Sequence, residues 1–195
     1  MKEDILEQLV DDYLQHKGYF TRHNVKFKPT KEANGYLAKK DSANSDIDVI
    51  GLNPHLRGPG RVWVVNCKSW QSGVNLTHWI SGIEEDKVLN GRNAWKTFRE
   101  LADTKWANAF IAKIEELTGT RSFTYVTAVT KLIGDKSKWV EHEKFRKNLD
   151  GNPIKILTVT EILDYMNKET AKTVAPSDVG RLLQVIKASE WERKD

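Results

Sequence analysis

The segments SDIDVIGL (residues 45–52) and RVWVVNCK (residues 61–68) decide the fold of this chain. Both are short, apolar and rich in β-branched residues, and the Pro- and Gly-containing segment between them predicts that they pair as a hairpin. Side chains in a strand alternate between its two faces, so Asn66 and Lys68 share one face of the second strand. A side-by-side pairing brings Asp48 of the first strand and Lys68 together at one edge of the sheet.

The remaining sequence alternates between helical and strand-like patterns. Apolar spacing and end signals predict helices at 5–17, from Thr77 to Asn90-Gly91, and at 95–117, 138–148, 161–168 and 178–190. Strands are predicted at 19–28, 47–52, 61–67, 122–130 and 154–159, and a loop at 29–44. Without an internal repeat or a composition break, this order predicts one α/β domain spanning residues 1–195, built on a mixed sheet with helices on both faces.

The composition is that of an ordinary globular protein, with 39% hydrophobic and 30% charged residues in 195. No stretch approaches the roughly 18 apolar residues that cross a bilayer, so no membrane partner is expected. The single cysteine, Cys67, cannot form an internal disulfide, which favours a cytoplasmic location. A Gly-rich phosphate loop and a Ser/His/Asp pattern are both missing from the sequence, which argues against nucleotide hydrolases and serine hydrolases.

Positive charge is concentrated between residues 22 and 40. This segment has six basic residues and one acidic residue, Glu32, against a net charge of +4 for the whole chain. Such an excess favours phosphate binding, because neutralising a phosphate releases its counterions. A solvated loop kept soluble by lysine explains the pattern equally well. The candidate nucleic-acid contacts in this segment are Lys26, Lys28, Lys31, Lys39 and Lys40.

An aspartate and a lysine at one sheet edge fit metal-dependent phosphodiester hydrolysis. Alternation places Asp48 on the same face as Asp46 and Ile50, at the polar end of the strand. Mg²⁺ binds one or two carboxylates together with water and substrate phosphate. Asp48 is the expected metal ligand, the main-chain carbonyl of Cys67 a second one, and Lys68 the group that orients water or stabilises the transition state. A purely structural Asp–Lys pair is the competing interpretation.

The same residues resemble the PD-(D/E)XK nuclease superfamily, especially Mrr-type restriction endonucleases and archaeal Holliday-junction resolvases. The likeness rests on Asp48-Val49-Ile50, on the strand ending Asn66-Cys67-Lys68-Ser69-Trp70, and on Glu7 in the first helix before Gly18-Tyr19-Phe20. It covers residues 1 to about 90, with additional helices toward the C-terminus. It implies a restriction-endonuclease-like mixed β-sheet core flanked by helices on both faces. It also implies Mg²⁺-dependent cleavage of duplex or branched DNA, with Mn²⁺ as a possible substitute, by a homodimer.

Asn66 departs from the pattern of that superfamily, which has an acidic residue, or sometimes Gln, two positions before the lysine. Some related enzymes place this carboxylate on the following helix. At 100° per residue, Glu84 lies on the same side of its predicted helix as Ile80 and Ile83, so Glu84 is the expected replacement. A structural pairing of Glu84 with Lys87 or Lys68 is the alternative, and a third interpretation is that Asn66 marks an attenuated or inactive site.

Two further residues are candidates for nucleic-acid contact. Trp70 follows the proposed site directly, where its ring is suited to stacking on a base, and Gln71 is placed to contact phosphate. The resulting hypothesis is a metal-dependent endodeoxyribonuclease with Glu7, Asp48, Asn66, Lys68 and Glu84 in its site. The alternative is a catalytically weak or inactive module that binds nucleic acid or protein and retains the nuclease fold.

Overall fold

The computed structural model describes residues 4–169 and 177–189. Its strands are β1 (Phe20–Phe27), β2 (Ser45–Leu52), β3 (Val62–Lys68), β4 (Val74–Asn75), β5 (Val88–Leu89), β6 (Arg92–Asn93), β7 (Thr124–Val129), β8 (Leu132–Ile133) and β9 (Ile154–Thr158). The central sheet has the order β1-β2-β3-β7-β9. Strands β1, β2 and β3 are antiparallel neighbours, whereas β3, β7 and β9 run parallel. The sheet is therefore mixed, as predicted.

The helices of the described residues are α1 (Ile5–His16), α2 (Ala38–Asp41), α3 (Leu76–Glu84), α4 (Arg99–Ala102), α5 (Thr104–Thr118), α6 (Ser137–Val140), α7 (Glu143–Asn148), α8 (Val159–Glu169) and α9 (Asp178–Ala188). Parallel strands need a long crossover, and α3, α4 and α5 lie in the crossover between β3 and β7. Within 4–169 and 177–189, no helix is long and apolar enough to span a bilayer.

Helices cover both faces of the central sheet, which confirms the predicted mixed α/β architecture. On one face Val62 and Val64 of β3 join a core with α3, α4 and α5. On the other face Val65 joins a core with α1 and α8. Because side chains alternate along β3, this strand contributes residues to both cores. Each fully buried aliphatic side chain contributes about 1.5–3 kcal/mol of transfer free energy.

The pairing of β1 with β2 is interrupted beside Asp48. The register passes from Val25↔Ile47 to His23↔Val49 without pairing the intervening residues. One of them, Asn24, has a φ of 52°, in the left-handed region that asparagine tolerates better than most residues. As a result, Ile47 and Ile50 both belong to the core on the α5 side. The expectation of strict alternation through Asp48 was wrong, because the backbone is distorted at this point.

The helix predicted at 95–117 is not continuous. A 3₁₀ turn at Ala94–Thr97 is followed by the single turn α4 and then by α5. Asp103 separates the two helices: its backbone is extended and its side chain accepts a hydrogen bond from the Lys105 N–H at 3.0 Å. Aspartate at this position is a strong N-cap, so a new helix begins there although the apolar spacing continues. The helix predicted at 138–148 is likewise divided into α6 and α7.

Helix α3 also differs from its prediction. Its N-cap is Asn75, whose side chain accepts from the His78 N–H, rather than Thr77. The helix ends at Glu84 instead of at Asn90-Gly91. Those two residues both have positive φ and form the turn of a small hairpin, β5–β6. Asn-Gly is the strongest short-range hairpin signal, so this hairpin was predictable.

Gly82 allows the β5–β6 hairpin to lie against α3. A Cβ atom at Gly82 would lie only 2.6 Å from Cδ1 of Leu89 and 3.1 Å from Cβ of Ala94. Leu89 is buried in the core on this side of the sheet. Close contact between helix and hairpin therefore requires a residue without a side chain at position 82.

Asp41 anchors the segment predicted as a loop at 29–44. Its buried carboxylate accepts hydrogen bonds from Leu37 N–H at 2.8 Å and Trp106 Nε1 at 3.0 Å, and Lys105 Nζ lies at 3.3 Å. Burial alone would raise the pKa of Asp41, but these bonds and the Lys105 charge together outweigh it and lower that pKa below its ordinary 3.8. The segment is thereby tied to the first turn of α5.

Replacing Asp41 with asparagine is expected to lower the free energy of unfolding by about 1–3 kcal/mol at neutral pH, because an amide group cannot accept all three bonds. Since the pKa of Asp41 is lowered on folding, its stabilisation is complete above 3.8 and is lost as the pH falls through the folded-state value. The difference between wild type and Asp41→Asn should therefore shrink in strong acid. Urea denaturation at several pH values measures it.

Asp164→Asn is the matched control, because Asp164 is an exposed residue of α8. Its replacement should change the unfolding free energy by no more than about 0.5 kcal/mol. Equal losses in the two variants would contradict an anchoring role for Asp41.

Candidate functional site

Three of the predicted site residues meet at the paired ends of β2 and β3. The register Val49↔Val65 places Asp48 beside the end of β3. The Cys67 N–H donates to Oδ2 of Asp48 at 2.6 Å. Lys68 Nζ donates to Oδ1 of Asn66 and, at 3.2 Å, to the Cys67 carbonyl. The structure thus brings Asp48, Asn66 and Lys68 to one edge of the sheet.

A polar cavity of about 230 Å³ opens over this edge. Its charged lining residues are Asp46, Asp48, Lys68, Arg92, Lys96 and Arg99. Four of these six side chains are basic, and three of the four follow α3 in the sequence rather than belonging to the central sheet. The cavity is therefore suited to an anion held near a carboxylate.

Asp48 is a carboxylate in a largely desolvated position. Burial raises the pKa of Asp48 above its ordinary value, against the opposing effects of the Lys68 charge and the hydrogen bond from Cys67. Its Oδ2 accepts that bond, whereas Oδ1 accepts no hydrogen bond from any residue that the structure describes. One oxygen of Asp48 is thus available to a ligand or cation in the cavity.

Glu100 lies behind Asn66 and was not predicted. It is only 2% exposed, and its Oε1 accepts from Asn66 Nδ2 at 3.0 Å and from the Tyr125 hydroxyl at 2.5 Å. Burial raises the pKa of Glu100, although both hydrogen bonds and the Lys68 charge act in the opposite direction. Asn66 therefore connects the ammonium of Lys68, through its oxygen, to a buried carboxyl group, through its nitrogen.

The amide at position 66 matches its surroundings. A carboxylate there would face Oε1 of Glu100 at hydrogen-bond distance, and two ionised carboxylates so close repel each other strongly. An asparagine amide donates to Glu100 and accepts from Lys68 at the same time. Asn66 thus replaces the acid of the motif at a position where Glu100 of α4 already places a carboxyl group.

Arg99 is a buried cation on which the charges of Glu100 and Asp41 act, although it pairs directly with neither. Its side chain lines the cavity, yet the residue is only 7% exposed and forms no salt bridge within the described residues. Its guanidinium lies 4.3 Å from the ring centroid of Trp106, and its Nε has no hydrogen-bond partner. Burial, followed by the nearby charge of Arg92, lowers the pKa of Arg99. An anion in the cavity would stabilise this guanidinium.

Arg92 and Lys96 add two more available cations to the cavity. Arg92 is exposed at the start of β6, and neither residue forms an ion pair with the part of the chain that the structure describes. Lys96 Nζ lies 5.7 Å from the ring centroid of Trp95. Both residues lie close to the Asn90-Gly91 turn in the sequence.

The first helix contributes acidic residues near the cavity but none to its lining. Asp4, the N-cap of α1, accepts a hydrogen bond from Ser69 Oγ. Burial, then the charges of Asp48, Glu7 and Asp4, raises the pKa of the Cys67 thiol well above its ordinary value. Glu7 therefore lies close enough to act on the end of β3, but the cavity does not include it.

Glu84, the expected replacement for the missing acid, is not brought to the cavity. It is exposed at the end of α3, and its Oε1 contacts His142 Nε2 at 3.1 Å. The residues of α3 that face the core include Trp79 and Ile83, and Glu84, 100° further around the axis than Ile83, lies outside this buried side. Because α3 ends at Glu84, the chain there turns away into the β5–β6 hairpin.

The predicted basic contacts are spread over a wider surface. Lys26 and Lys28 line a separate groove of about 480 Å³ between the end of β1 and α5. Lys31, Lys39 and Lys40 are exposed and line neither this groove nor the cavity over Asp48. Asn44 borders both spaces, so the groove adjoins the cavity.

The oxygen donors of the cavity fit a magnesium ion that is bound mainly by water and substrate. Among the described residues, no group of three or more His, Cys, Asp or Glu side chains is arranged to hold a metal. Asp46 and Asp48 are the acids that line the cavity, and the Cys67 carbonyl already accepts from Lys68. One or two carboxylates suffice for Mg²⁺ when phosphate and water complete its shell.

Comparison with protein-family models, curated proteins and solved structures gives no significant match for this chain. The chemistry of the cavity therefore carries the functional assignment.

A double-mutant cycle tests the pairing of Asn66 with Glu100. We expect Asn66→Asp to reduce the unfolding free energy at neutral pH, because it sets a second carboxylate against Glu100. In a Glu100→Gln background the same substitution should cost less, with a coupling of about 0.5–3 kcal/mol. Chemical denaturation of the four proteins measures it, and additive effects would contradict direct contact.

The same cycle should depend on pH in a defined direction. Burial raises the pKa of Glu100 above its ordinary 4.5, so folding favours the protonated carboxyl group. The contribution of Glu100 to stability is therefore present below pH 4.5 and is lost as the pH rises through the folded-state pKa. The penalty of Asn66→Asp should therefore decrease as the pH falls toward 4.5. A penalty that does not change with pH would exclude repulsion between the two carboxylates.

Proposed function

We propose that this protein is a Mg²⁺-dependent endonuclease that hydrolyses phosphodiester bonds in DNA. The observation that carries the proposal is Arg99, a buried guanidinium without an ion-pair partner among the described residues, in the same cavity as Asp48 and Lys68. A phosphodiester supplies an anionic partner for the basic residues of the cavity, which outnumber its two aspartates by four to two. The adjacent carboxylate and lysine supply the groups that phosphodiester hydrolysis needs.

Asp48 and Asp46 would hold the metal ion from the acidic side of the cavity. When bound, Mg²⁺ neutralises charge on the phosphate and promotes ionisation of an attacking water. Lys68 lines the cavity, so its ammonium can orient that water or stabilise the charge that develops on the phosphate. Asn66, fixed between Lys68 and Glu100, positions the ammonium.

Arg99, Arg92 and Lys96 would bind the phosphate under attack and its neighbours. Arg99 is fixed by its contacts with Trp106 and with the Ala43 carbonyl, so little side-chain freedom is lost when it binds phosphate. Arg92 is exposed and adds general affinity. Because these contacts are electrostatic, binding should weaken as salt increases.

The resemblance to PD-(D/E)XK nucleases supports the same function. The mixed sheet with helices on both faces is compatible with a restriction-endonuclease-like fold, and the motif residues Asp48 and Lys68 meet at one edge. Glu100, rather than Glu84, is the carboxyl group that contacts Asn66, and it lies beneath the cavity and not in its lining. A homodimer that cuts both strands, and a cytoplasmic location, belong to the same proposal.

A non-catalytic nucleic-acid-binding module is the second candidate function. It is favoured by one observation: Lys68 donates to the Cys67 carbonyl, which was expected to bind metal, and to Oδ1 of Asn66, which stands where the superfamily has an acid. Such a protein would bind DNA through the same cations without cutting it.

Cleavage of supercoiled plasmid separates the two functions. We expect nicking with Mg²⁺ or Mn²⁺, none with chelator, and a loss of about 100-fold or more in Asp48→Asn and Lys68→Ala, because single groups that act on transition-state charge contribute on this scale. Glu84→Gln is the control carboxylate and should retain full activity. DNA binding without nicking at any metal concentration would favour the non-catalytic module.

Salt dependence of DNA binding tests the cationic cavity independently of catalysis. Arg92→Ala and Lys96→Ala should each weaken binding and reduce the slope of log K against log salt by about 0.9, the value for one released phosphate contact. Fluorescence anisotropy in chelator measures both quantities. Arg57→Ala is the matched control, since Arg57 is exposed in the turn before β3, at the opposite end of that strand from Lys68. A slope unchanged in both cavity variants would remove these residues from the interface.

A further inference from the structure

A second cavity, of about 310 Å³, adjoins the one over Asp48. The two share Lys68, Arg92 and Thr97 as lining residues. Its other walls include Trp70, Trp79 and Asn90. A ligand bound at Lys68 and Arg92 can therefore extend directly into a space with aromatic walls. Its volume lies at the lower end of the range for small-molecule sites.

Trp70 forms a fixed aromatic wall in this second cavity. Its ring is half-buried and stacks on Trp79, with ring centroids 4.8 Å apart and planes inclined by 26°. Its main-chain carbonyl accepts hydrogen bonds from Thr130 Oγ1 at 2.5 Å and from Gly73 N–H at 2.9 Å. A planar ring held in this way is a platform on which a second planar group can stack with little loss of entropy.

Asn90 provides hydrogen-bonding groups for the edge of such a planar ligand. It lies in the turn of the β5–β6 hairpin with a φ of 51°, and its side-chain amide has no hydrogen bond to any residue of the described ranges. An amide both donates and accepts, which matches the edge of a nucleobase. The packing of Leu89 against Gly82 fixes the hairpin that carries this amide.

We propose that the second cavity binds one unpaired nucleobase, stacked on Trp70 with its edge toward Asn90. The inference rests on the proposed function for its phosphate side, because the backbone of the same nucleotide would reach Arg92 and Lys68. A base within a continuous duplex cannot enter such a cavity without leaving the stack. The cavity therefore adds a preference for nucleic acid with unpaired nucleotides, namely single strands or the unpaired segments of branched DNA.

Binding of short oligonucleotides in chelator tests the cavity without cleavage. An eight-nucleotide thymidine strand is compared with a strand of the same length and charge that lacks all bases. We expect the thymidine strand to bind about 5- to 150-fold more tightly, the range associated with stacking of one base on an aromatic residue. Trp70→Ala should remove most of this difference, and Trp70→Phe should retain most of it. Equal binding of both strands by the wild-type protein overturns the inference.

Two further variants keep the test decisive if Trp70→Ala folds poorly. Asn90→Ala should reduce the preference for the base-containing strand and leave binding of the baseless strand unchanged. Phe20→Ala removes a 74% exposed aromatic ring at the start of β1, which lines neither cavity, and should change nothing. A preference that survives both Trp70→Ala and Asn90→Ala places the base elsewhere and overturns the proposal.

The outcomes distinguish this inference from the proposed function. If base-dependent binding requires Trp70 but the protein cuts no substrate, the nucleobase cavity is supported and the proposed nuclease activity is contradicted. If the protein cleaves DNA with metal but binds the thymidine strand and the baseless strand with equal affinity, the nuclease proposal is supported and the nucleobase cavity is contradicted. Duplex binding should be insensitive to Trp70→Ala, and a duplex affinity that falls as much as the single-strand affinity also overturns the inference.

Discussion

The antiparallel pairing of β2 with β3 is the constraint on which the rest of the structure depends. Because side chains alternate along a strand, a shift of one residue would send Asp48 or Lys68 to the opposite face and exchange the two cores. The apolar residues of β3 oppose such a shift, since Val64 and Val65 are buried in different cores. The hydrogen bond from Cys67 N–H to Asp48 closes this pairing at its polar end. The site is thus a by-product of a register that core packing enforces.

Local chain irregularities place the remaining groups of the site. The left-handed Asn24 interrupts β1 opposite Asp48, and distortions of this kind often re-aim side chains beside functional sites. The extended backbone of Asp103 ends α4 after one turn, so α4 and α5 are separate helices and not one continuous helix. Consecutive residues of α4 then serve different purposes: Arg99 lines the cavity, whereas Glu100 is buried beneath it against Tyr125.

The parts of the structure that follow from periodicity and turn chemistry were predictable from the sequence. The apolar pattern of the strands predicted a mixed sheet, and alternation along β3 predicted that Lys68 lies near Asp48. The interruption at Asp103 left the apolar spacing of 95–117 intact, so the position of Glu100 behind Asn66 could not be predicted from a continuous helical pattern. The Asn90-Gly91 pair is compatible with a helix end as well as with a hairpin turn, so the place of Asn90 beside the site did not follow from the sequence. Glu84 lies on α3 as expected, but it points toward His142 and not toward the cavity, a difference of tertiary packing that the helical periodicity alone does not determine.

Asn66 shows why a single substitution in a motif does not by itself decide whether a site can work. In isolation, an amide in place of an acid lowers the expected affinity for a cation. Beside Glu100, however, an acid at this position would add a second buried carboxylate, and the raised pKa of Glu100 already reflects the cost of burying one. The amide instead satisfies Glu100 and Lys68 together. The carboxyl group that the motif lacks therefore lies behind Asn66, where it orients Lys68 through the amide, and four of the six charged residues that line the cavity are basic.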